Sequence, residues 1–224
     1  MKYEDVFKKL KSLSNPKNVA GMTRFGINPK NTFGISIPDL RSLAKKIGKD
    51  HKLAQKLWSS KIHEARILAG MIDDLELVTE KQMDSWAKDF DSWDVCDQVC
   101  MNLFDKTEIA FKKAVAWTKD QREFVKRAGF AMMAALACHD KKSNDKEFIK
   151  FFSAIKKEAT DERNFVRKAV NWALRGIGKR NLNLNKFAIN TAKEIQKINS
   201  KTAKWIACGA LKELQSKAVQ KRIK

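Results

Sequence analysis

Residues 124–128 read Phe-Val-Lys-Arg-Ala and residues 165–169 read Phe-Val-Arg-Lys-Ala, so one pentapeptide occurs twice with its two basic residues exchanged. Each copy runs on into a long apolar stretch with helical periodicity. Weaker versions of the segment begin at Glu64 and at Thr202. A segment that recurs at the start of successive helices is the signature of a helical repeat protein.

The spacing of these segments indicates the type of repeat. If five positions are taken as equivalent, four within these segments and one at Asp97, they follow each other at irregular intervals of about 30 to 40 residues, which is the length of a HEAT-type helix pair. These positions are Arg66, Asp97, Arg127, Lys168 and Lys204. We therefore predict an all-α fold, an α-solenoid of HEAT-like helix-pair repeats that is curved with a basic concave face. We expect residues 1–224 to form a single domain.

Helical periodicity extends over most of the chain, and no segment alternates convincingly as a strand. Residues 14–16, Ser-Asn-Pro, are expected to end a first helix, and residues 21–35 form the stretch richest in Gly, Pro and Asn. The predicted helices cover residues 3–13, 36–47, 53–58, 64–75, 81–90, 92–104, 108–118, 122–138, 146–158, 162–177, 184–195 and 202–218.

The charge of the chain narrows the class of partner. The 46 Lys and Arg residues outnumber the 26 Asp and Glu residues, which gives a formal charge of +20, and the basic residues run along the whole length. A basic surface of this size favours a polyanionic partner, and nucleic acid is the first candidate. The amino terminus is too charged for a signal peptide and no apolar run approaches a membrane span, so we expect a cytoplasmic protein, associated with the nucleoid when bound to DNA.

The cysteines and histidines do not indicate a metal site. All four cysteines lie in apolar helical contexts without a CxxC pair, so we expect small buried residues of a reducing compartment. The three histidines are scattered and have no ligand-spaced partners. No metal and no cofactor are therefore expected.

One carboxylate stands out in the stretch from Asp91 to Phe104. Read as a helix with Ser92 at its N-cap, this stretch has an apolar stripe formed by Val95, Cys96, Val99, Cys100 and Leu103. Asp97 falls on the flank of that stripe, one turn after Trp93. It is either a structural residue that caps a helix or pairs with a basic residue, or a functional carboxylate.

The equivalent positions place Asp97 in a row that is otherwise basic. Cations along such a row can follow a phosphate backbone without reading sequence. The alternative is a solvated charged face. Trp172 lies four residues after Lys168, as Trp93 lies four before Asp97, and each Trp is either core or the partner of a cation. The predicted DNA-backbone contacts are Arg66, Lys126, Arg167, Lys168 and Lys204.

Several segments together resemble one known family. They are residues 22–25, 33–38, 93–97 (Trp-Asp-Val-Cys-Asp), the segment around Arg127, and residues 164–175. In this order, and over nearly the whole chain, they resemble the DNA alkylation repair family, the alkylpurine DNA glycosylases built from HEAT-like repeats.

The resemblance implies a role for particular residues. Asp97 matches the family's catalytic aspartate, Trp93 and Trp172 match tryptophans that contact the backbone of the lesion nucleotide, and Arg127 matches an arginine that helps to hold the DNA. Phe25 matches a position that is tyrosine in the best-known members. This departure removes a hydroxyl group and keeps the ring.

The chemistry expected of this family needs little more than one carboxylate. A purine alkylated at N3 or N7 is cationic and leaves without a general acid, unlike the leaving groups of the two-carboxylate glycosidases. We therefore predict a monofunctional hydrolase, an alkylpurine DNA glycosylase of base excision repair, which acts as a monomer on double-stranded DNA that contains alkylated bases. Two alternatives stay open: a non-catalytic nucleic-acid-binding protein of the same fold, and a protein–protein scaffold.

Overall fold

The computed structural model describes residues 1–223, and every regular element in that range is a helix. This confirms the predicted all-α class. The described chain forms two compact units, Met1–Thr107 and a second that begins at Glu108; that the whole chain acts as a single domain stays a prediction. Within residues 1–223, no helix combines the length and the apolarity needed to cross a membrane.

The first unit contains seven α-helices and two short 3-10 helices among its described residues. The α-helices are α1 (Tyr3–Ser12), α2 (Pro16–Thr23), α3 (Ile37–Ile47), α4 (His51–Ser59), α5 (His63–Ile72), α6 (Glu80–Lys88) and α7 (Trp93–Asn102), and the 3-10 helices are Leu75–Leu77 and Phe104–Lys106.

The second unit continues with helices of unequal length. They are α8 (Ala110–Trp117), α9 (Glu123–His139), α10 (Asp145–Ile149), α11 (Phe151–Lys157), α12 (Asn164–Gly178), α13 (Leu182–Gln196), α14 (Lys201–Leu214) and α15 (Lys217–Arg222).

The helices pack as consecutive pairs, which confirms the α-solenoid of HEAT-like repeats. Helix α4 packs against α5, α8 against α9, and α13 against α14. The second helices of neighbouring pairs also pack against each other, α5 against α7 in the first unit and α9 against α12 and α12 against α14 in the second. All five equivalent positions lie on these second helices, each at the fourth or fifth residue of its helix.

Aromatic contacts link successive repeats within each unit. The indole rings of Trp58 and Trp86 stack in parallel with their centroids 4.0 Å apart, so the first helices α4 and α6 are joined. In the second unit, Phe124 and Phe165, the first residues of the two pentapeptides, lie 5.4 Å apart. Such pairs contribute roughly 0.5–1.5 kcal/mol beyond the area they bury.

The predicted helix boundaries were wrong in several places. Residues 14–16 follow the end of α1 as predicted, but the prediction missed that Asn15 and Pro16 also begin α2: Asn15 caps the backbone N–H groups of the first turn, and proline fits the first helical position. The predicted helix 146–158 is broken at Lys150 into α10 and α11, and the predicted helix 202–218 is broken before Ser216, which caps α15. In contrast, α3 begins after Ser36 and ends at Gly48, as predicted.

A buried carboxylate holds the loop between α2 and α3. Glu64 on α5 is 1% exposed, and its two oxygens accept hydrogen bonds from the backbone N–H groups of Phe33, Gly34 and Ile35, at 2.9, 2.6 and 3.2 Å. Gly34 has φ +76°, and a Cβ atom there would lie 2.3 Å from the carbonyl oxygen of Asn15. Both the carboxylate and the glycine are therefore needed for this loop conformation.

We predict that Glu64→Gln lowers the free energy of unfolding by about 2–4 kcal/mol, since the amide nitrogen cannot accept a hydrogen bond and leaves buried N–H groups without a partner. Glu76→Gln, at an exposed position of the same unit, is the matched control and should have little effect. Urea unfolding of both variants measures the difference. Equal stabilities would show that the carboxylate does not hold the loop.

Candidate functional site

The amino end of α7 is fixed by a small hydrogen-bond network. Ser92 occupies the N-cap position as predicted, but its hydroxyl donates to Asp94 Oδ1 at 2.6 Å and makes no capping bond. The same Asp94 oxygen accepts the N–H of Val95 at 3.0 Å, and Asp94 Oδ2 lies 2.8 Å from Nε2 of the buried His63. The start of α7 is thereby tied to the start of α5.

This network changes the acidity of Asp94. Burial by itself raises the pKa of the carboxyl group, but the hydrogen bond and charge of His63 lower it, as do the hydrogen bonds from Ser92 and Val95. The net result is a pKa below the ordinary value of 3.8. Asp94 is therefore a carboxylate near neutral pH, and its charged form stabilises this part of the fold.

Asp97 lies one turn further along α7, with its side chain largely removed from water. The predicted apolar stripe is confirmed, because Val95, Cys96, Val99, Cys100 and Leu103 are all buried. At the helical repeat of 3.6 residues per turn, Asp97 points in a direction between those of Trp93 and Asp94, so it lies on the flank of the stripe. Its residue is 8% exposed.

The charge of Asp97 also affects the pKa of a thiol on the core side of α7. The pKa of the Cys100 thiol lies well above its ordinary value because the thiol is buried, because it hydrogen-bonds to Cys96, and because the charges of Cys96, Asp97 and Asp105 oppose its ionisation. A buried thiol of this kind is inert. Cys96 and Cys100 are buried as predicted, whereas the prediction was wrong for Cys138 and Cys208, which are exposed.

Trp93 and Phe25 are brought together at the mouth of a groove. The indole Nε1–H of Trp93 donates to the backbone carbonyl of Phe25 at 3.0 Å, and the Phe25 residue itself is 70% exposed. The groove has a volume of about 480 Å³, and Gln98 on α7 and Ile67 on α5 also line it. Because the hydrogen bond uses the backbone of residue 25, it does not depend on whether the side chain there is Phe or Tyr.

The other two residues assigned a DNA-binding role by the resemblance lie in the second unit. Arg127 on α9 is buried, and one of its terminal nitrogens donates to the carbonyl oxygen of Phe165 at 2.7 Å. Trp172 lies two turns into α12 and is half-buried. Arg127 is thus held by a contact within the second unit, and the contacts of Arg127 and Trp172 with DNA stay predictions.

The five residues predicted to contact the DNA backbone fall into two groups. Arg66 is buried and pairs with Asp91, and Lys126 is buried and pairs with Glu158 and Asp161. The charged groups of both are therefore already used in the fold. Arg167 is half-buried against Trp205, while Lys168 and Lys204 are exposed and available to a polyanion as the structure stands. That the five residues contact the DNA backbone stays a prediction.

Sequence reasoning missed three residues that organise this region. His63 contacts Asp94, and Glu64 accepts a hydrogen bond from the backbone of Gly34. The residues of each pair lie about 30 positions apart in the sequence, and no local pattern marks such pairs. The only signal was their place at the start of helices that carry the repeat. Among residues 1–223, no cluster of three or more His, Cys, Asp or Glu side chains is arranged to hold a metal ion.

Fold, repeat and charge define this chain as a HEAT-like repeat protein. A family model described as DNA alkylation repair enzyme matches residues 6–214, and the chain therefore belongs to the DNA alkylation repair enzyme family. Among curated proteins, no sequence matches the chain.

One solved structure shows the same fold. One protein, from a new family related to the HEAT-like repeat DNA glycosylases with affinity for branched DNA structures, superposes with a TM-score of 0.82 at 19% identity, covering 100% of this chain and 96% of that one. A designed armadillo repeat protein in complex with the peptide (KR)4 gives a TM-score of 0.40 at 16% identity, over 82% of this chain and 87% of that one.

We predict that Asp94→Asn destabilises the protein near neutral pH by about 1–3 kcal/mol and that the difference shrinks in acid. A carboxyl group whose pKa is depressed by folding stabilises the fold above its unfolded pKa, and this contribution is lost as pH falls through the folded pKa, here below 3.8. Urea unfolding at about pH 7 and about pH 3 measures the gap. Asp5→Asn, at an exposed position of α1, is the control. A gap independent of pH would rule out a role for the charge.

Proposed function

We propose that this protein is a monofunctional DNA glycosylase that hydrolyses the N-glycosidic bond of cationic N3- or N7-alkylated purines in duplex DNA. The observation that carries the proposal is the shielded carboxylate of Asp97, on the same edge of α7 as Trp93, in a member of the DNA alkylation repair enzyme family. The charge of +20 supports DNA as the substrate.

The proposed reaction uses the leaving ability that alkylation has already created. As the bond between C1′ and the purine nitrogen breaks, its electron pair goes to the base, which departs neutral, and positive charge develops on the deoxyribose. A carboxylate that is 8% exposed acts in an environment of lower dielectric than water, so its attraction for that charge is strengthened. Asp97 would stabilise the oxocarbenium-like transition state and orient the water that adds at C1′ and loses one proton to solvent.

Trp93 supplies the second part of the proposed site. Its indole is held in one orientation by the hydrogen bond to the Phe25 carbonyl, and an oriented aromatic face attracts a cation. A neutral purine receives no such attraction, so the site would favour charged lesions. Phe25, exposed at the edge of the groove, would contact the DNA through its ring alone.

Affinity for the DNA backbone is proposed to come from the exposed cations. Lys168 and Lys204 are exposed near the starts of α12 and α14, so they can neutralise phosphates without breaking any contact of the fold. Arg127 is proposed to hold the DNA as the family resemblance implies, with part of its guanidinium group already bound to Phe165.

A second candidate function is DNA binding without excision. It is favoured by the related protein of TM-score 0.82, which is described as having affinity for branched DNA structures. The two candidates differ in what they require of Asp97, since a binding protein has no use for a shielded carboxylate among its DNA contacts. A protein scaffold, the third alternative, would bind acidic peptides and show little dependence of DNA affinity on salt.

Replacement of Asp97 separates the enzyme from the binding protein. Asp97→Asn keeps the size of the side chain and removes its charge, so we expect single-turnover release of 7-methylguanine from methylated duplex to fall by roughly 10²-fold or more. Affinity for undamaged duplex should change little. The thermal midpoint is measured on the same preparation.

The outcome that contradicts the assignment is full excision per folded molecule together with a lowered thermal midpoint, because that pattern belongs to a structural cap or ion pair. Asp5→Asn serves as the control for removing one carboxylate from the surface. It should leave excision unchanged.

Salt dependence tests the proposed backbone contacts. We expect affinity for undamaged duplex to fall steeply with salt. Lys168→Gln should reduce the slope of log affinity against log salt concentration by about the amount that one phosphate contact contributes. Lys186→Gln, at an exposed position on the first helix of the last pair, is the matched control and should leave the slope unaltered. Identical slopes for wild type and Lys168→Gln would remove Lys168 from the interface.

A further inference from the structure

The second unit presents an exposed tryptophan that the proposed chemistry does not use. Trp205 on α14 is 46% exposed, although tryptophan is usually buried in a core. The guanidinium carbon of Arg167, on the neighbouring helix α12, lies 5.3 Å from the centre of the Trp205 ring. A cation held against the indole fixes its orientation and leaves the rest of its surface open to solvent.

The surroundings of Trp205 are strongly basic. Lys201, Trp205 and Lys212 are spaced by about one and two helical turns, so they share one exposed face of α14, and Lys204 is exposed beside them. Helix α12 contains no acidic residue, and α14 contains only Glu213. That carboxylate is neutralised by Arg175 and Lys179.

An exposed aromatic ring within a cationic surface is the arrangement used to bind unpaired nucleotides. The cations attract the phosphates, while the ring stacks on a base, and stacking is possible only for a base that is not already stacked within a duplex. A protein or lipid partner for the same surface would have to be strongly anionic. Neither partner would need the Trp205 ring to be oriented by Arg167.

We propose that Trp205 and Arg167 form a stacking site for an unpaired base, so that this protein binds DNA in which a duplex adjoins a single strand. The inference rests on the proposed function only in requiring that the chain binds DNA. It makes no use of Asp97 or of alkylated bases, and it therefore can fail while the excision proposal succeeds, or succeed while that proposal fails.

The test compares two undamaged DNA probes of the same duplex sequence, one blunt and one with a single-stranded thymidine extension, by fluorescence anisotropy. Trp205→Ala should weaken binding of the extended probe by about tenfold and of the blunt probe by less than about twofold. Trp205→Phe keeps a ring for stacking and should restore most of the affinity. Both variants should fold normally, because residue 205 is exposed.

A matched control is Phe187→Ala, which removes another exposed aromatic of the same unit, 41% exposed on α13, and should not discriminate between the probes. Equal weakening of both probes by Trp205→Ala, or no weakening of either, would overturn the proposal. The proposal would also be overturned if Trp205→Ala abolished binding to polyglutamate or to phosphatidylglycerol vesicles and left DNA binding intact, since the surface would then serve a protein or a membrane.

Discussion

The hydrogen bonds from three successive backbone N–H groups to the Glu64 carboxylate fix the geometry of the first unit. These bonds hold the loop that carries Phe25 against α5. The backbone carbonyl of Phe25 in the same loop accepts a hydrogen bond from the indole N–H of Trp93 on α7. A buried carboxylate is stable only with such partners, and a loop with unsatisfied N–H groups could not be buried there. The groove lined by Trp93 and Asp94 therefore depends on an interaction that has no part in the proposed chemistry.

Burial distinguishes the basic residues that hold the fold together from those that can bind a polyanion. Arg66 occupies the repeat position that corresponds to Lys168 and Lys204, and Lys126 precedes the corresponding Arg127, yet both are buried and paired with carboxylates. Breaking a buried pair leaves an uncompensated charge, so these residues are bound to the fold. Exposed lysines do not carry this cost. The excess of basic residues over acidic ones is therefore available to a polyanion mainly through them.

The repeat architecture could be predicted because its signal is local and recurs. The two pentapeptides, the Ser36 and Gly48 boundaries of α3 and the apolar stripe of α7 all follow from short-range spacing. The start of α2 could not be read with certainty, since Asn15 and Pro16 are compatible both with the end of one helix and with the beginning of the next. Burial of Arg66 was not predictable, because its partner Asp91 comes from another repeat.

The proposal that the shielded carboxylate of Asp97 serves glycosidic bond cleavage requires that the wild-type protein releases alkylated bases from DNA. Duplex DNA methylated by dimethyl sulfate is incubated with the protein in excess, and the supernatant is analysed for 3-methyladenine and 7-methylguanine by liquid chromatography. We expect release of the free methylated bases together with an equal number of abasic sites, and no release of undamaged purines. Tight binding of the methylated duplex without any released base would contradict the proposal.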